Sequence, residues 1–263
     1  MSSAVLLDCR DGVAVLTLNR PERANTIDTE VCTALAAAVD SLVHEPVLRA
    51  VLLQARGRQF CAGGDIRSFV NAAGDIAGTI DAVIPPMHRM VLQLATLPVP
   101  VVSAVQGPIS GAGIGLALCA DVVLAAESMK LRGGYSAIGL TPDVGSSWFL
   151  ARRAGPARTK EIFMTNEALS ARQCHQHGIV SEVLADADLA ARATSLVTAL
   201  ARGATGSLGR IKGLVDGAPG RSLQEQLDLE HRLIIESAQS ADAREGVAAF
   251  AEKRAPVFGR TAA

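Results

Sequence analysis

Aromatic side chains are scarce in this sequence, which has one Trp, one Tyr and six Phe, 3% of 263 residues. A core with few rings must be filled mainly by Ala, Val, Leu and Ile, and a site that selects its ligand by ring stacking has few residues to draw on. Lysine is nearly missing as well. Lys130, Lys160, Lys212 and Lys253 are too scattered to make a patch, and every other cationic residue is Arg. Charge excess is absent too: a formal net charge of -1 argues against the basic face that nucleic-acid proteins present. The five cysteines, Cys9, Cys32, Cys61, Cys119 and Cys174, are an odd set without a C-x-x-C pair. They read as reduced thiols of a cytoplasmic protein. No apolar run approaches the roughly 20 residues of a membrane span; 98–124 comes nearest, and glycines, prolines and Asp121 interrupt it. The first ten residues carry acid early and no long apolar stretch, so no secretory signal is expected. Phosphate loops of the G-K-[ST] type and a G-x-S-x-G nucleophile elbow are both missing.

What is present is a chain with 49% hydrophobic and 19% charged residues, enough for one large domain or a domain plus an appendage. Residues 4–9 and 13–18, joined at Asp11-Gly12, read as a β-hairpin. Asp28 reads as the cap of a helix carrying Val31, Leu35, Val39 and Leu42 at helical spacing. Short strands are expected at 50–53, 101–105, 122–125 and 180–184, with helices at 81–95, 111–119, 144–153 and 156–164. Asp65 caps a short helix. Residues 71–79, rich in Gly and Ala, are expected to be the mobile segment. From Leu189 onward the pattern is helical, and Asp242 with Glu245 has capping-box spacing.

Two segments stand out chemically, Arg58-Gln59-Phe60-Cys61-Ala62-Gly63-Gly64-Asp65 and the run from Ala104 to Gly115. Each follows an apolar strand and opens a helix, where main-chain N–H groups have no partner within the helix. Two such loops can present two donors to one oxygen, an oxyanion hole, with glycines allowing a ligand close to the backbone. Taken singly, each is equally a tight turn. A dinucleotide loop fails at Gly111-Ala112-Gly113, because Leu116 stands at the third glycine position.

In order, these segments resemble the crotonase superfamily of enoyl-CoA hydratases and isomerases. The match includes Leu18-Asn19-Arg20-Pro21 with Asn25, Phe60 to Asp65, Val105 to Asp121 and Ile138-Gly139-Leu140-Thr141-Pro142-Asp143, and it closes with Glu245-Gly246, Phe250, Glu252-Lys253-Arg254, Pro256 and Phe258-Gly259. The resemblance implies an α/β fold: a ββα spiral core over 1–200 with the acyl-CoA site, and a C-terminal helical oligomerisation region over 201–263. It implies assembly as a homo-oligomer, a trimer or a dimer of trimers, with no nucleic-acid or membrane partner. Coenzyme A enters as part of the substrate, with no separate cofactor. The N–H groups of Gly64 and Ala112 would hold the thioester carbonyl. Arg23, Ala24, Ala62, Asp65, Ile66 and Arg67 match substrate-side positions, the two arginines being either phosphate or adenosine contacts of CoA or solvated surface residues. Lys253 would reach a neighbouring subunit's CoA.

The reaction is where the chain departs from the family pattern. Hydratases carry two glutamates that flank one water as base and acid; the matching positions here are Gly115 and Tyr135. What remains is Asp143, which matches the acid of the isomerase-like branch that includes enoyl-CoA isomerases and ring isomerases of phenylacetate breakdown. The resemblance implies that Asp143 shuttles a proton between acyl carbons; the alternative is a helix N-cap. His88 aligns with the catalytic histidine of a hydrolytic dehalogenase of the superfamily, or it packs beside the acyl pocket. Tyr135 is expected to line that pocket or donate a hydrogen bond, and Trp148 and Phe149 to pack in the core or line an acyl tunnel. Double-bond or ring isomerisation of an acyl-CoA is the leading expectation, with hydration, hydrolysis and ligand binding without turnover as rivals. His175 and His177 at i, i+2 point to different helix faces, so no metal site is expected.

Overall fold

The computed structural model describes residues 3–71 and 74–259. The hairpin forms as expected: β1 (Val5–Arg10) pairs antiparallel with β2 (Val13–Leu18). Asp11 and Gly12 between them both take positive φ, 51° and 76°, the turn that suits the strand twist. After α1 (Thr29–Val43), strand β3 (Ala50–Ala55) lies parallel to β2. The chain continues through α2 (Ile66–Asn71) and α3 (Ile76–Thr96) to β4 (Val101–Val105), parallel to β3. A short β5 (Pro108–Ser110) and α4 (Ala112–Leu118) lead to β6 (Val122–Ala126), β7 (Lys130–Arg132) and α5 (Ser146–Thr165). Then come β8 (Leu169–Ser170), α6 (Ala171–Gln176) and β9 (Glu182–Leu184), followed by α7 (Leu189–Ala201), α8 (Thr205–Gly217), α9 (Leu223–Ala238) and α10 (Ala241–Ala251). The main sheet has the order β1-β2-β3-β4-β6-β9, and a second sheet the order β5-β7-β8.

The central strands read as unbroken apolar runs because both faces are covered. In β3, Val51 and Leu53 join the core on the α1/α3 side, while Ala50 and Leu52 join the one under α7. The same alternation holds in β4, where Val101 and Val105 face one side and Val102 and Ala104 the other. Leu189, Ala193, Val197 and Ala201 give α7 one apolar stripe for its side of the sheet. Across the sheet, α1 buries Val31, Leu35, Val39 and Leu42. Each of these large side chains contributes about 1.5–3 kcal/mol of burial. Asp28 caps α1 by accepting the Val31 N–H at 3.0 Å.

Several expected boundaries move. Helix α3 begins at Ile76 rather than at 81, because Asp75 caps it through the Gly78 N–H at 2.8 Å. Of the expected mobile segment, residues 72 and 73 lie outside the described residues, and 76–79 are helical. Helix α5 starts at Ser146 because Val144 and Gly145 take positive φ, and Gly155 (φ 76°, ψ 161°) breaks it ahead of Pro156. The cap of α10 is Ser240, which accepts the Ala243 N–H, and not Asp242, whose carboxylate instead accepts the Gly259 N–H. In this C-terminal region Ile211, Leu223, Ile234 and Phe250 stay exposed, Phe250 at 88%. Among the described residues no helix is long and apolar enough to cross a membrane.

Candidate active site

The loop after β3 is strung between two neighbours. Its Cys61 forms a parallel bridge with Ile109, and its Gly64 forms one with Ile27. At the second bridge Ile27 N–H donates to Gly63 O at 2.8 Å, and Asp65 N–H donates to Ile27 O at 2.9 Å. Because the groups on either side of Gly64 are turned toward Ile27, the N–H of Gly64 itself faces the opposite way. Gly63 makes this course possible: its φ is 95°, and a Cβ there would meet Ser110 O at 2.7 Å.

The second loop brings the N–H of Ala112, first residue of α4, to the same place. Gly111 precedes it at φ 54° and lies against Gly63, where a Cβ on Gly111 would meet the Gly63 Cα at 3.7 Å. Gly111 N–H is taken by Gly133 O and Ile114 N–H by Gly111 O. Among the described residues, neither the Gly64 nor the Ala112 N–H donates to a protein acceptor. Both residues line one cavity of about 220 Å³. Its other walls are Ala62, Ile66 and Phe69 below, Ile80, Val83, Ile84 and Met87 from α3, and Tyr135, Ile138, Leu140, Asp143 and Val144 opposite.

Asp143 is held in this wall by a tight reversal of the chain. Val144 takes φ 49°, a conformation that β-branched residues resist, and Gly145 follows at φ 74°. Three contacts hold the turn: Val144 N–H donates to His88 Nε2 at 3.1 Å, Ser146 N–H donates to Asp143 O at 2.8 Å, and the Val144 carbonyl packs onto Gly115. A Cβ on Gly115 would stand 1.9 Å from Val144 O. The glycine at the position of one hydratase glutamate is therefore what admits the turn that carries Asp143. At the other position, Tyr135 donates its hydroxyl to Asp143 Oδ1. Asp143 does not cap α5; Gly145 occupies that position, and the Asp143 carboxylate faces the cavity. Burial raises its pKa above the ordinary carboxylate range, against the opposing Tyr135 hydrogen bond. Burial first, and then the Asp143 charge, raises the pKa of the Tyr135 hydroxyl, which therefore stays protonated as a donor.

Asp28 is the other carboxylate on the cavity wall, and it is engaged elsewhere. Arg20 Nη1 lies 2.6 Å from it and Arg23 Nη1 3.7 Å. Burial acts to raise it, but the Val31 N–H and Arg20 outweigh burial and hold it below the usual range. Cys61 is no nucleophile, since burial pushes its thiol up to about 12.

Of the residues singled out from the sequence, Gly64, Ala112, Ala62, Ile66, Tyr135 and Asp143 come together at the cavity. Arg23, Ala24, Asp65, Arg67, His88 and Lys253 do not line it. Ala24 O accepts the Ala62 N–H, and Asp65 caps α2 through the Arg67 N–H at 3.0 Å. Arg67 and Lys253 are exposed. Trp148 is a correction: it is 53% exposed on the outside of α5, with Arg152 stacked 4.4 Å from its ring centroid, because its place in α5 turns it away from the cavity. His175 Nδ1 is engaged with Val180 O at 3.2 Å, and His177 is the C-cap residue of α6. Among the described residues no group of three or more His, Cys, Asp or Glu is placed to hold a metal ion. Sequence reasoning set this helix beside the acyl pocket but named none of the α3 wall residues, although Ile80, Val83, Ile84 and Met87 follow an i, i+3, i+4, i+7 pattern. It also missed Ser146, fully buried beside Tyr135 and Gly111, for which no sequence signal exists.

Known proteins resemble this chain along nearly its whole length. The family model for enoyl-CoA hydratase/isomerase matches residues 8–261. The chain is 39% identical to the 1,2-epoxyphenylacetyl-CoA isomerase of Escherichia coli K12, over 98% of this chain and 99% of that one. It is 32% identical to the trans-2-decenoyl-[acyl-carrier-protein] isomerase of Streptococcus mutans, over 97% of each chain. An enoyl-CoA hydratase from Polaromonas sp. JS666 superposes with a TM-score of 0.90 at 32% identity, covering 96% of this chain and 98% of that structure.

Proposed function

Since the chain belongs to the enoyl-CoA hydratase/isomerase family and has the crotonase fold, we propose that it isomerises acyl-CoA thioesters by proton transfer through Asp143. The thioester carbonyl accepts the N–H groups of Gly64 and Ala112. Asp143 removes a proton from the acyl carbon beside the carbonyl; the C–H electron pair passes to the carbonyl oxygen as an enolate, which the two amides stabilise. The same carboxyl then returns the proton to a carbon further along the chain. One observation carries this reading. Among the described residues, Asp143 is the half-buried carboxylate of the cavity wall that no arginine holds, since Asp28 is paired with Arg20; it stands beside two unengaged main-chain N–H groups, and neither hydratase position supplies a further acid.

The similarity to an epoxyphenylacetyl-CoA isomerase makes a ring-bearing acyl group one candidate and a straight 3-enoyl chain the other. The test offers 3-enoyl-CoA, 1,2-epoxyphenylacetyl-CoA and 2-enoyl-CoA to the purified protein. Isomerised product from either of the first two, without hydration of the third, is the expected result. Water addition to 2-enoyl-CoA at a comparable kcat/KM replaces isomerase by hydratase, and binding of all three without turnover leaves a thioester-binding protein. Hydrolysis on the dehalogenase plan is disfavoured by geometry, because His88 Nε2 already accepts the Val144 N–H and has no lone pair left there to activate water.

The pH dependence follows from the groups around Asp143. The proton-accepting form is the carboxylate, so kcat/KM is present above the raised pKa of Asp143 and lost as pH falls through it. Tyr135→Phe removes a hydrogen bond that favours the carboxylate, so the acid limb of the profile is expected to move to higher pH. A limb that stays in place or moves down contradicts this assignment. The exposed apolar side chains of α8, α9 and α10 support self-association through the C-terminal region. Sedimentation equilibrium is expected to give a mass above that of one chain, and a monomer at micromolar concentration overturns it.

A further inference from the structure

Ser146 stands between the two halves of the site. It is the first residue of α5, it is fully buried, and its Oγ lies 3.2 Å from Tyr135 Oη and 3.2 Å from Gly111 O. A serine has one hydrogen, so it can serve one of these two acceptors at a time. Gly111 O belongs to the peptide whose other end is the Ala112 N–H. A hydrogen bond accepted by that carbonyl polarises the peptide and makes its N–H a stronger donor. The Ile114 N–H already reaches the carbonyl at 2.9 Å, and Ser146 supplies the second bond.

The charge on Asp143 sets which way the serine donates. While Asp143 is a carboxylate, it holds the Tyr135 hydrogen; the phenol oxygen is then purely an acceptor and competes for the hydrogen of Ser146. Once Asp143 has taken a proton its pull on Tyr135 weakens. The phenol hydrogen is then free to turn to Ser146 Oγ, and the serine hydrogen goes fully to Gly111 O. No heavy atom moves, and the proton from substrate carbon stays on Asp143. We propose that Ser146 is a positioning residue that couples the two halves of the site, strengthening the Ala112 N–H at the moment the enolate charge appears by donating to Gly111 O. This rests on the isomerase reading above and names a residue that acts through the main chain without touching substrate.

The test compares Ser146→Ala with the parent protein in two ways. In turnover, kcat is expected to fall about tenfold, the size of one lost hydrogen bond, with KM within about twofold. The acid limb of kcat/KM is expected to stay in place, because Tyr135 still donates to Asp143. The second readout needs no turnover. Acetoacetyl-CoA ionises to an enolate with its own near-ultraviolet absorbance, so its bound enolate fraction reports the strength of the two amides. That fraction is expected to rise in Asp143→Asn, which mimics the protonated acid, and to fall several-fold when Ser146→Ala is added. Should Ser146→Ala lose its cooperative melting, Ser146→Cys keeps a similar volume with a much weaker donor and is expected to show the same losses. Unchanged kcat and unchanged bound enolate overturn the coupling while the isomerase reading stands. A Ser146-dependent enolate fraction in a protein that isomerises nothing overturns the reading and keeps the coupling.

Discussion

Asp143→Asn is expected to lower kcat for acyl-CoA isomerisation by about 10²- to 10⁴-fold, the range over which a positioned proton-transfer group acts. The substitution is nearly isosteric. The Asn side chain keeps the size of the Asp and a polar group beside Tyr135, and the main-chain bond from Ser146 N–H to Asp143 O does not involve the side chain. KM is therefore expected to change little, since the Gly64 and Ala112 amides and the apolar walls remain. Stability at neutral pH is expected to hold or rise slightly. The folded-state pKa of Asp143 is raised by burial, so its ionised form costs folding free energy above the unfolded pKa, and a neutral amide removes that cost. A cooperative melt at or above the parent temperature, together with the loss in kcat, separates lost chemistry from lost structure. A kcat within tenfold of the parent places the base elsewhere.

Gly115→Ala is expected to remove most of the activity without touching a functional group. Its Cβ would stand 1.9 Å from Val144 O and 2.8 Å from Val144 C, both main-chain atoms that cannot swing aside. The turn over 143–145 must move, and Val144, already at φ 49°, has little freedom to absorb the shift. Displacing a base by about 1 Å costs on the order of 10²-fold in rate, and the overpacking itself costs about 1–3 kcal/mol. Both are read in one preparation, by steady-state kinetics and by urea unfolding. The larger Gly115→Glu change restores a carboxylate at a hydratase position, yet it is expected to give no hydration of 2-enoyl-CoA, even combined with Tyr135→Glu. The space for that side chain is filled by the Val144 carbonyl. Hydratase turnover in the double variant, or normal isomerisation by Gly115→Ala, contradicts this account of the turn.

Much of the fold was legible in the letters because periodicity reports burial directly. The apolar runs of β3 and β4, the stripe of α1 and the positive-φ turn at Asp11-Gly12 follow from local rules. Errors arose where two local signals competed. Asp242 and Glu245 have capping-box spacing, but Ser240 lies two residues earlier and takes the N–H of Ala243. Glycine-rich composition at 71–79 pointed away from helix, although Asp75 starts one at Ile76. Trp148 suits a core or an acyl-tunnel lining by residue type, while its place in α5 leaves it outside under Arg152.

For the site, the residue types available were set by the sequence alone: glycines in two loops, an acid at 143, no carboxylate at 115 or 135, and few rings anywhere. Side-chain chemistry is a property of the residue, so those limits hold in any fold. The direction of a main-chain N–H is a property of pairing. That Gly64 faces away from Ile27, that Gly111 lies on Gly63, and that Ser146 joins Tyr135 to a carbonyl 35 positions before it were decided by the tertiary structure. Contacts between segments so far apart depend on how strands stack and turns pack, which no local stretch of chain encodes.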